Sequence, residues 1–565
     1  MTSQLFRDTQ FGHLVRILSR NTLFHYPDEI DPSLWQKPLL PDVASPRQAE
    51  PGVRNDSSDT KGRPNNLTDP ITKNLDKRRQ VNQQHRSNAD HVVEDGIDVY
   101  LVDWYGPDDP ENPRNWPSSR KLLIGFQICL LNFAFYMASS IYVPGEASIM
   151  QEFGASEIVA TLGLSLFTLG YGCGPMLWSP MSEMPTVGRN DVYFWTFLAF
   201  VLLQLPTGFA VNMPMFLVFR LLTGFCGSPA LATGGATLAD MYSPARVAYG
   251  ICIWGSFGIL GPVFGPILGG FTAAAKGWRW TIWVVTWLCA GAAVMLFFCM
   301  PETSAANILY RRAKRLRRAT GDERWRSQSE VDAAQHTTAD HLSVLGRACT
   351  LIFSEPIVFL WDLYTALLYG VFFVWFESFP LVFGDMYGFN LGQQGLVFLG
   401  ILVGGLVTVP LFLLWVNRGI IPRFASPTFK PEMVLPPTFF GSAALPVCLF
   451  WYGWSARPHV HWMVPIVGSG FFTVGVVTLF NPVLHYLGIA YPAYAASIFA
   501  GNALFRASFG AIFPLFARQL FRTLGIGPGN SLLGGIAVCF LPLPYIFSKY
   551  GERIRHLSKN ARQDV

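Results

Sequence analysis

Long apolar runs alternate with short polar breaks along the chain from about residue 121 onwards. Each run has close to the roughly 20 residues that a helix needs to cross the hydrocarbon core of a bilayer. The pattern therefore predicts twelve membrane-spanning helices, numbered here as spans 1 to 12 in chain order. They are expected at 121–143, 158–180, 192–211, 215–237, 248–271, 281–300, 357–383, 395–416, 436–455, 462–484, 493–517 and 529–548.

Six predicted spans precede a polar stretch at 301–355, and six follow it. This arrangement is typical of membrane proteins built from two repeated halves, with a binding site where the halves meet. We therefore predict an all-α membrane protein with twelve transmembrane helices in two six-helix halves. The expected parts are an N-terminal tail (1–118), the first half (119–300), a basic loop (301–355), the second half (356–548) and a C-terminal tail (549–565).

The N-terminal tail is rich in Asn, Asp, Ser, Pro and Arg and has no sustained apolar run. This composition predicts a mostly disordered segment. Near its start, apolar residues could share one face of a short helix. Two interpretations of that helix stay open, a transient helix within the tail or an anchor on the membrane surface. The residues concerned are Phe6, Phe11, Leu14, Ile17 and Leu18.

The overall composition agrees with a polytopic membrane protein. Hydrophobic residues make up 51% of the chain and charged residues only 14%, whereas soluble proteins have roughly 25% charged residues. The net charge of +5 is small, and the basic residues cluster in loops, so we expect no nucleic-acid partner. The nine cysteines show no CxxC pair or zinc spacing, and we expect neither disulfides nor a metal site.

Orientation follows from the distribution of Lys and Arg, which favours cytoplasmic loops. The basic loop and the C-terminal tail hold most of these residues, and both termini are therefore expected in the cytoplasm. The run YRRAKRLRR at 310–318 is predicted to be a basic helix lying along anionic lipid.

Enzyme signatures are missing from the sequence. It contains no GxSxG elbow, HExxH helix, Walker A loop, EF-hand or CxxC pair. No enzymatic activity, catalytic residue or cofactor is expected. Without an ATP-binding loop, uphill transport would have to use an ion gradient.

Span 4 contains an arginine, and charges inside a membrane are costly and usually functional. Arg220 must face protein or a water-filled cavity, where it could bias a neighbouring proton site. The alternative is a structural arginine that satisfies backbone carbonyls. Asp240, at the end of the same span, is interpreted as a pairing or capping residue.

Spans 7 and 11 hold the other candidate polar residues. Glu377 lies among bulky apolar neighbours, where it could take up and release protons, or it could simply be solvated at the outer rim. Asp362 is interpreted as a solvated or paired acid near the inner helix end and is a second proton candidate. Asn502 and Arg506 lie four residues apart on one helical face, and with Phe376 they are candidates for a substrate cavity.

Span 5 contains glycines at steps of four with prolines between them. Such a helix would be unfavourable in water, but small residues spaced in this way let two membrane helices approach closely. The pattern predicts a bent helix packed tightly inside the bundle. The residues are Gly261, Pro262, Gly265, Pro266, Gly269 and Gly270.

These residues resemble motifs of the major facilitator superfamily, and specifically of its fungal twelve-span drug:proton antiporter group. Gly261-x-x-x-Gly265-Pro266-x-x-Gly269-Gly270 is similar to the antiporter motif of the fifth span. Arg220-x-x-x-Gly224 is similar to the fourth-span motif associated with proton coupling. The outline over roughly 104–560 resembles in particular the benomyl and fluconazole resistance transporters.

A third similarity lies between spans 2 and 3. Ser182-Glu183 and Gly188-Arg189 resemble the cytoplasmic gating motif of the family, with Asn190 where a second basic residue is usual. The resemblance implies a gate formed by these residues and Asp240, with Glu183 and Arg189 stabilising the outward-facing state. It also implies that the glycine motif of span 5 forms a close seam between the two halves.

The resemblance implies the major facilitator fold and a proton-coupled transporter. Such a protein would export hydrophobic small molecules, including drugs, fungicides and toxins, across the plasma membrane by alternating access. A monomer without cofactors is expected, with proton coupling at Arg220, Glu377 and Asp362. Two alternatives stay open, a dedicated exporter of a secondary metabolite and a non-transporting membrane sensor that signals through its tails.

Overall fold

The computed structural model describes residues 6–36, 91–94, 97–334, 350–424, 429–558 and 560–561. Within these residues, ten helices are long and apolar enough to cross a membrane. Two further helices, Arg189–Gly208 and Pro437–Ser455, occupy the places of predicted spans 3 and 9. The predicted fold class, two halves of six transmembrane helices each, is confirmed.

The helices of the first half follow the predicted spans with some interruptions. Span 1 is Ser118–Ser140 continued by Glu146–Phe153, span 2 is Glu157–Glu183, span 3 is Arg189–Gly208, span 4 is Met213–Gly227 with Pro229–Ala232 and Gly234–Met241, span 5 is Pro244–Lys276, and span 6 is Trp278–Cys299.

The second half has the same order of elements. Span 7 is Pro356–Phe379 continued by the π-helix Pro380–Met386, span 8 is Leu391–Leu396 and Leu399–Trp415 followed by Val416–Ile420 and Ile421–Phe424, span 9 is Pro437–Ser455, span 10 is Met463–Ala490, span 11 is Ala495–Leu524, and span 12 is Ile526–Cys539 and Pro542–Leu557.

The packing of the spans repeats between the halves. In the first half, spans 1 and 5, 2 and 4, 3 and 4, and 3 and 6 are packed together; in the second half the pairs are 7 and 11, 8 and 10, 9 and 10, and 9 and 12. Adding six to each number of the first set gives the second set. The halves meet through spans 2 and 11 and through spans 5 and 8. Because span 2 is equivalent to span 8 and span 5 to span 11, these two contacts are also equivalent. The two predicted repeats are therefore visible in the packing.

Single glycines make the two tightest connections at equivalent places. Gly277 joins spans 5 and 6 with φ +83°, and Gly525 joins spans 11 and 12 with φ +87°. Side chains with a Cβ rarely adopt positive φ, so glycine allows a reversal without a longer loop.

The bundle has two ends, which we call the terminal end and the far end. The terminal end carries the starts of spans 1 and 7 and the ends of spans 6 and 12; there, Glu302 accepts a hydrogen bond from the backbone N–H of Arg189. The far end carries the opposite ends of the spans; there, Arg279 donates to the carbonyl of Ala210 at 2.8 Å.

A cap of residues from three distant segments covers the first half at the terminal end. It comprises the N-terminal helix Gln10–Leu18, the short helices Pro27–Ile30 and Ser33–Gln36, the linker before span 1, the loop helix Ala305–Thr320 and the helix Gln328–Ala334. Strand β2 (Ile97–Val102) pairs antiparallel with β1 (His91–Glu94) and parallel with β3 (Trp325–Ser327).

Buried ion pairs join the cap. Arg312 is paired with Asp109 and Glu111, both at 2.9 Å, and Arg315 is paired with Asp28 at 2.9 Å. The loop helix thus uses these arginines inside the protein, which corrects the prediction that this basic run lies along lipid. The ring of Tyr26 lies 3.6 Å from the Arg315 guanidinium.

The N-terminal tail is folded where it is described. Phe11 of the N-terminal helix packs against Phe297 and Phe298 at the end of span 6, so a transient helix is the wrong interpretation. Leu18 stays exposed on this helix, and anchoring on the membrane surface stays a prediction. Residues 37–90 lie outside the described part of the chain, and their predicted disorder stays a prediction.

Candidate functional site

The glycines of span 5 lie directly on the backbone of span 1. A Cβ added to Gly265 would lie 1.9 Å from Ser140 Oγ, and one added to Gly269 would lie 2.1 Å from the carbonyl oxygen of Ile141. A Cβ on Gly261 would lie 2.6 Å from the carbonyl oxygen of Phe133. Only glycine permits these approaches, so the predicted tight packing is observed.

Pro262 and Pro266 explain a hydrogen bond between these two spans. A residue four positions after Pro262 would normally donate its N–H to the Pro262 carbonyl, but Pro266 has no N–H. Ser140 Oγ donates to that carbonyl instead, at 3.1 Å. Span 1 therefore supplies the hydrogen bond that the free carbonyl of the kinked segment needs.

The seam between the halves involves another face of span 5. A Cβ on Gly270 would lie 2.3 Å from the carbonyl oxygen of Leu391 in span 8, and one on Gly395 would lie 2.4 Å from the carbonyl oxygen of Pro266. The expectation that the whole motif forms the seam is therefore corrected. Gly261, Gly265 and Gly269 face span 1 of their own half, and only the last turn of the motif faces the other half.

Arg220 is completely buried and donates to three backbone carbonyls. Its Nη1 donates to Ala138 at 2.9 Å, its Nη2 to Ser139 at 3.1 Å and its Nε to Gly163 at 3.0 Å. The first two carbonyls lie in the last turn of the helix Ser118–Ser140, where intrahelical partners run out. The geometry therefore favours the structural interpretation of Arg220. Its guanidinium also lies 4.9 Å from the ring of Tyr142.

Asp362 is completely buried, which rules out the solvated alternative and leaves the paired one. Its Oδ1 accepts a hydrogen bond from Asn502 Nδ2 at 2.7 Å, and the same amide nitrogen donates to Thr365 Oγ1 at 3.0 Å. Arg506 Nε donates to Asn502 Oδ1 at 2.9 Å. Spans 7 and 11 are thus connected by an acid, an amide and a guanidinium in series.

This series reaches the first half through two tyrosines. The Arg506 guanidinium lies 5.2 Å from the ring of Tyr369, whose hydroxyl is 2.5 Å from the hydroxyl of Tyr171 in span 2. We call Asp362, Asn502, Arg506, Tyr369 and Tyr171 the central polar chain. It joins a buried acid to a contact between the halves.

Phe376 lies elsewhere. It is buried and stacks on Phe398 with ring centroids 5.5 Å apart. It lines a small, partly open pocket between the halves, together with Pro266 and Gly395. The grouping of Phe376 with Asn502 and Arg506 in one cavity is therefore corrected, because the residues lie at different levels of the bundle.

Glu377 belongs to a set of charges at the far end. Its side chain is 0% exposed, and it is paired with Nε of Arg518 in span 11; it is not a solvated rim residue. Arg518 also reaches the first half, where its Nη2 lies 3.2 Å from Glu146 and its Nη1 lies 2.7 Å from Glu157. Arg522 completes the set with a bond to Glu157 at 2.8 Å.

We call Glu146, Glu157, Glu377, Arg518 and Arg522 the far-end charge cluster. Four of its members were absent from the site predicted from the sequence. Pro144 and Gly145 interrupt the first span, so Glu146 was placed in a loop; Arg518 was placed just beyond span 11. The available signal was charge complementarity, since acids flank the connection between spans 1 and 2 and arginines follow span 11.

The predicted gate lies at the terminal end. Arg189 Nη2 donates to Asp240 Oδ1 at 3.3 Å, and its Nε donates to Oδ2 at 2.5 Å. Asp240 is thus a pairing residue, as interpreted, but Arg189 bonds to it rather than to Glu183, which is exposed. Ser182 Oγ donates to the carbonyl of Ser179 at 2.7 Å, within its own helix.

Glu302 holds the start of span 3 against this gate. Its carboxylate accepts N–H groups from Arg189 and Asn190, each at 3.1 Å, and from Thr303 and Ser304. A carboxylate at a helix N-terminus satisfies free donors and opposes the helix dipole. Gly188 has φ +84°, and a Cβ there would lie 2.4 Å from Glu302 Oε2.

Twelve membrane-spanning helices in two repeated halves, with ion pairs connecting the halves, are the architecture of a membrane transporter. The chain belongs to the Major Facilitator Superfamily, whose family model matches residues 128–554. The resemblance noted in the sequence is confirmed.

Several curated relatives are similar over most of the chain. It is 41% identical over 471 residues to the transporter mfs1 of Schizosaccharomyces pombe, covering 82% of this chain and 89% of the relative. It is 41% identical over 464 residues to the fluconazole resistance protein 1 of Saccharomyces cerevisiae, covering 81% and 84%. It is 34% identical over 576 residues to the cycloheximide resistance protein of Candida maltosa, covering 98% and 99%.

Solved structures share the fold. The proton:xylose symporter XylE bound to 6-bromo-6-deoxy-D-glucose has a TM-score of 0.54 at 14% identity, covering 77% of this chain and 96% of that chain. The peptide transporter POT in complex with sulfate also has a TM-score of 0.54 at 14% identity, covering 79% and 96%.

Proposed function

We propose that this protein is a proton-coupled efflux transporter that exports hydrophobic small molecules by alternating access. Relatives that cover four-fifths or more of the chain are named for resistance to fluconazole and cycloheximide. The chain has no ATP-binding loop, so an inward proton gradient is the proposed energy source and no cofactor is needed.

The observation that carries the proposal is the central polar chain. Asp362 is a buried acid hydrogen-bonded through Asn502 to Arg506, whose guanidinium lies against the ring of Tyr369 in the tyrosine contact between the halves. Binding or loss of a proton at such an acid changes the electrostatics of that contact between the halves. A proton-coupled transporter requires such a link between protonation and the movement of its halves. Asp362 and Glu377 are the proposed proton-binding residues.

The other site residues receive supporting roles. Arg220 holds spans 1 and 2 against span 4 and so fixes the surroundings of Tyr142 and Glu146. The pair Arg189–Asp240 closes the terminal end of the first half, and Glu302 positions it. Both termini are proposed to lie in the cytoplasm of a monomer in the plasma membrane, which makes the far end the outer end.

Efflux in a pump-deficient yeast host tests the proposal. Cells that express the protein should export fluconazole or cycloheximide, and an uncoupler that collapses the proton gradient should stop the export. Asp362→Asn should lose uncoupler-sensitive efflux but keep exchange of substrate across the membrane. Efflux that continues unchanged after the gradient has collapsed would remove the proton from the mechanism.

A further inference from the structure

The buried part of the far-end charge cluster has more acids than bases. Glu157 and Arg522 form a two-bond pair, at 2.8 and 2.9 Å, in which Arg522 is more than half exposed. This leaves Glu146, which is 3% exposed, and Glu377, which is 0% exposed, with Arg518 as their shared cation. Two buried carboxyls thus face one guanidinium.

Within the described residues, Arg518 is the only cation bonded to either carboxyl. Glu146 Oε1 accepts the hydroxyl of Tyr142 at 2.9 Å, and Glu377 also faces Thr161 of span 2. Arg220 lies behind the Tyr142 ring, where its charge acts on Glu146 at longer range, but its three donor nitrogens are bonded to backbone carbonyls and not to a carboxylate. Glu377 Oε1 is buried and accepts no hydrogen bond from the described part of the chain.

Two like charges that share a buried site cannot both ionise without a large cost. A proton on one carboxyl would remove the repulsion between the two carboxylates. Arg518 would then neutralise the carboxylate that remains.

We propose that Glu146 and Glu377 form a single proton-binding site that holds one shared proton when the far end is closed. This inference rests on the proposed proton coupling and adds the residue Glu146, the shared cation Arg518 and the stoichiometry of one proton for two acids.

Both halves contribute residues to the cluster, and this division connects the proton site to transport. Glu146 belongs to span 1 of the first half, whereas Glu377 and Arg518 belong to the second half. Separation of the halves at the far end takes Glu146 away from Arg518 and leaves Glu377 with it. Loss of the shared proton therefore favours separation, and its binding favours closure, which is the order that export against an inward proton flow requires.

Infrared spectroscopy of the purified full-length protein in nanodiscs tests the site without any substrate. The wild type should show a C=O stretching band of a protonated carboxylic acid that titrates with pH. Glu146→Gln and Glu377→Gln should each remove one carboxyl equivalent from this band, because Arg518 fully neutralises the acid that remains. The double variant should also remove only one equivalent.

Glu152→Gln is the matched control. Glu152 lies on the same helix as Glu146 and is also paired with an arginine, Arg279, but it is exposed and bonds within the first half. This variant should leave the band unchanged. Two equivalents lost in the double variant, or none lost in either single variant, would overturn the shared site.

Fluconazole exchange in proteoliposomes provides the second readout. Both glutamine variants should keep exchange, which shows that they are folded, but its rate should no longer depend on pH; coupled efflux should fall at least about tenfold. A pH-dependent exchange rate in Glu377→Gln would contradict the inference. If the wild type moves no drug while the infrared result holds, the proposed function fails and the proton site stands.

Discussion

Arg220 connects three helices through bonds that a lysine cannot reproduce, because only a guanidinium presents donors in several fixed directions. Lysine at this position would leave at least one buried carbonyl without a donor, at a cost of about 1–3 kcal/mol for each. We therefore expect Arg220→Lys to lower the denaturation midpoint of the purified protein. Lost efflux with an unchanged midpoint would instead assign Arg220 to proton coupling.

Glu302 accepts four backbone N–H groups, and its replacement by glutamine would point an amide donor at some of them. We expect Glu302→Gln to destabilise the first half by about 1–3 kcal/mol, the usual cost of leaving buried hydrogen-bonding groups unmatched. Urea titration of the purified protein measures the change. Glu323, which is 92% exposed, gives a control: Glu323→Gln should have no measurable effect.

Single residues show what the sequence could reveal and what it could not. Arg220 and Glu377 were found because charges are rare within apolar runs. Glu146 and Arg518 were missed because each lies just outside a run, where a charge is ordinary. The sequence also could not identify the partner of Arg189, because Glu183 and Asp240 are equally plausible acids until the spans are placed in space.

The glycine face of span 5 gives a prediction for the helix as a unit. We expect Gly265→Ala to lower efflux and stability, because its Cβ would collide with Ser140 Oγ and break the bond that satisfies the Pro262 carbonyl. Gly291→Ala in span 6 is the matched control, since a Cβ there meets nothing within 4 Å. Equal effects of the two substitutions on denaturation and efflux would show that the motif glycine is not specifically required for packing against span 1.

The N-terminal helix should loosen in acid. Burial, followed by the charge of Arg311, lowers the pKa of His13 from 6.5 to about 4; Asp8, Asp191 and Arg16 are its other charged neighbours. The docked segment therefore favours neutral His13. Its stabilisation is complete above pH 6.5 and is lost as pH falls towards 4, by up to about 3 kcal/mol because one pKa unit is worth about 1.4 kcal/mol.

Hydrogen exchange of the amides at 10–18, corrected for the intrinsic effect of pH, measures this loosening. The pKa values of Asp8 and Glu29 are lowered as well, so these acids lose their stabilising charge only at or below their ordinary range. Between pH 6.5 and 4.5 the change should thus come from His13. In His13→Gln, protection should be constant over this interval; a persistent slope would point to another group.

At the scale of elements, the spans were predictable because a bilayer imposes a length and a composition on each of them. The cap was not. Its short helices and strands are stabilised by partners hundreds of residues away, such as Tyr100 opposite Trp325 and Arg315 beside Asp28. Local composition contains no trace of such partners, and the segment therefore resembles a disordered tail.

The two halves touch at both ends of the molecule. The far-end charge cluster joins them at one end, and Cys252 of span 5 packs with Phe412 of span 8 and Val477 of span 10 towards the other. We expect the halves to stay associated after cleavage at a protease site inserted within residues 335–349, and efflux to stay within about twofold, because the contacts do not depend on the link. Separation of the fragments on gel filtration in mild detergent would contradict this; the uncut insertion variant is the control.

Two repeated halves could be predicted from the count of runs, but the details of their symmetry could not. Equivalent spans share little sequence, and the repeat lies in which spans are neighbours and in features such as the two single-glycine connections, Gly277 and Gly525. The contacts between the halves break this symmetry at the level of side chains. Arg518 belongs to span 11, and its equivalent in span 5 is part of the glycine-rich face.

The cap also sets the order of events during synthesis. His13 leaves the ribosome early, but its partner Arg311 is 298 residues further along the chain. At about 5–20 residues per second, the N-terminal segment must wait about 15–60 s for its docking surface to exist. By then the six spans between them have been made, and the first residues of the second half have still to follow. Docking of the N-terminus thus marks the moment at which the first half is complete, so a quality-control factor that recognises the undocked segment could distinguish a finished half from an unfinished one.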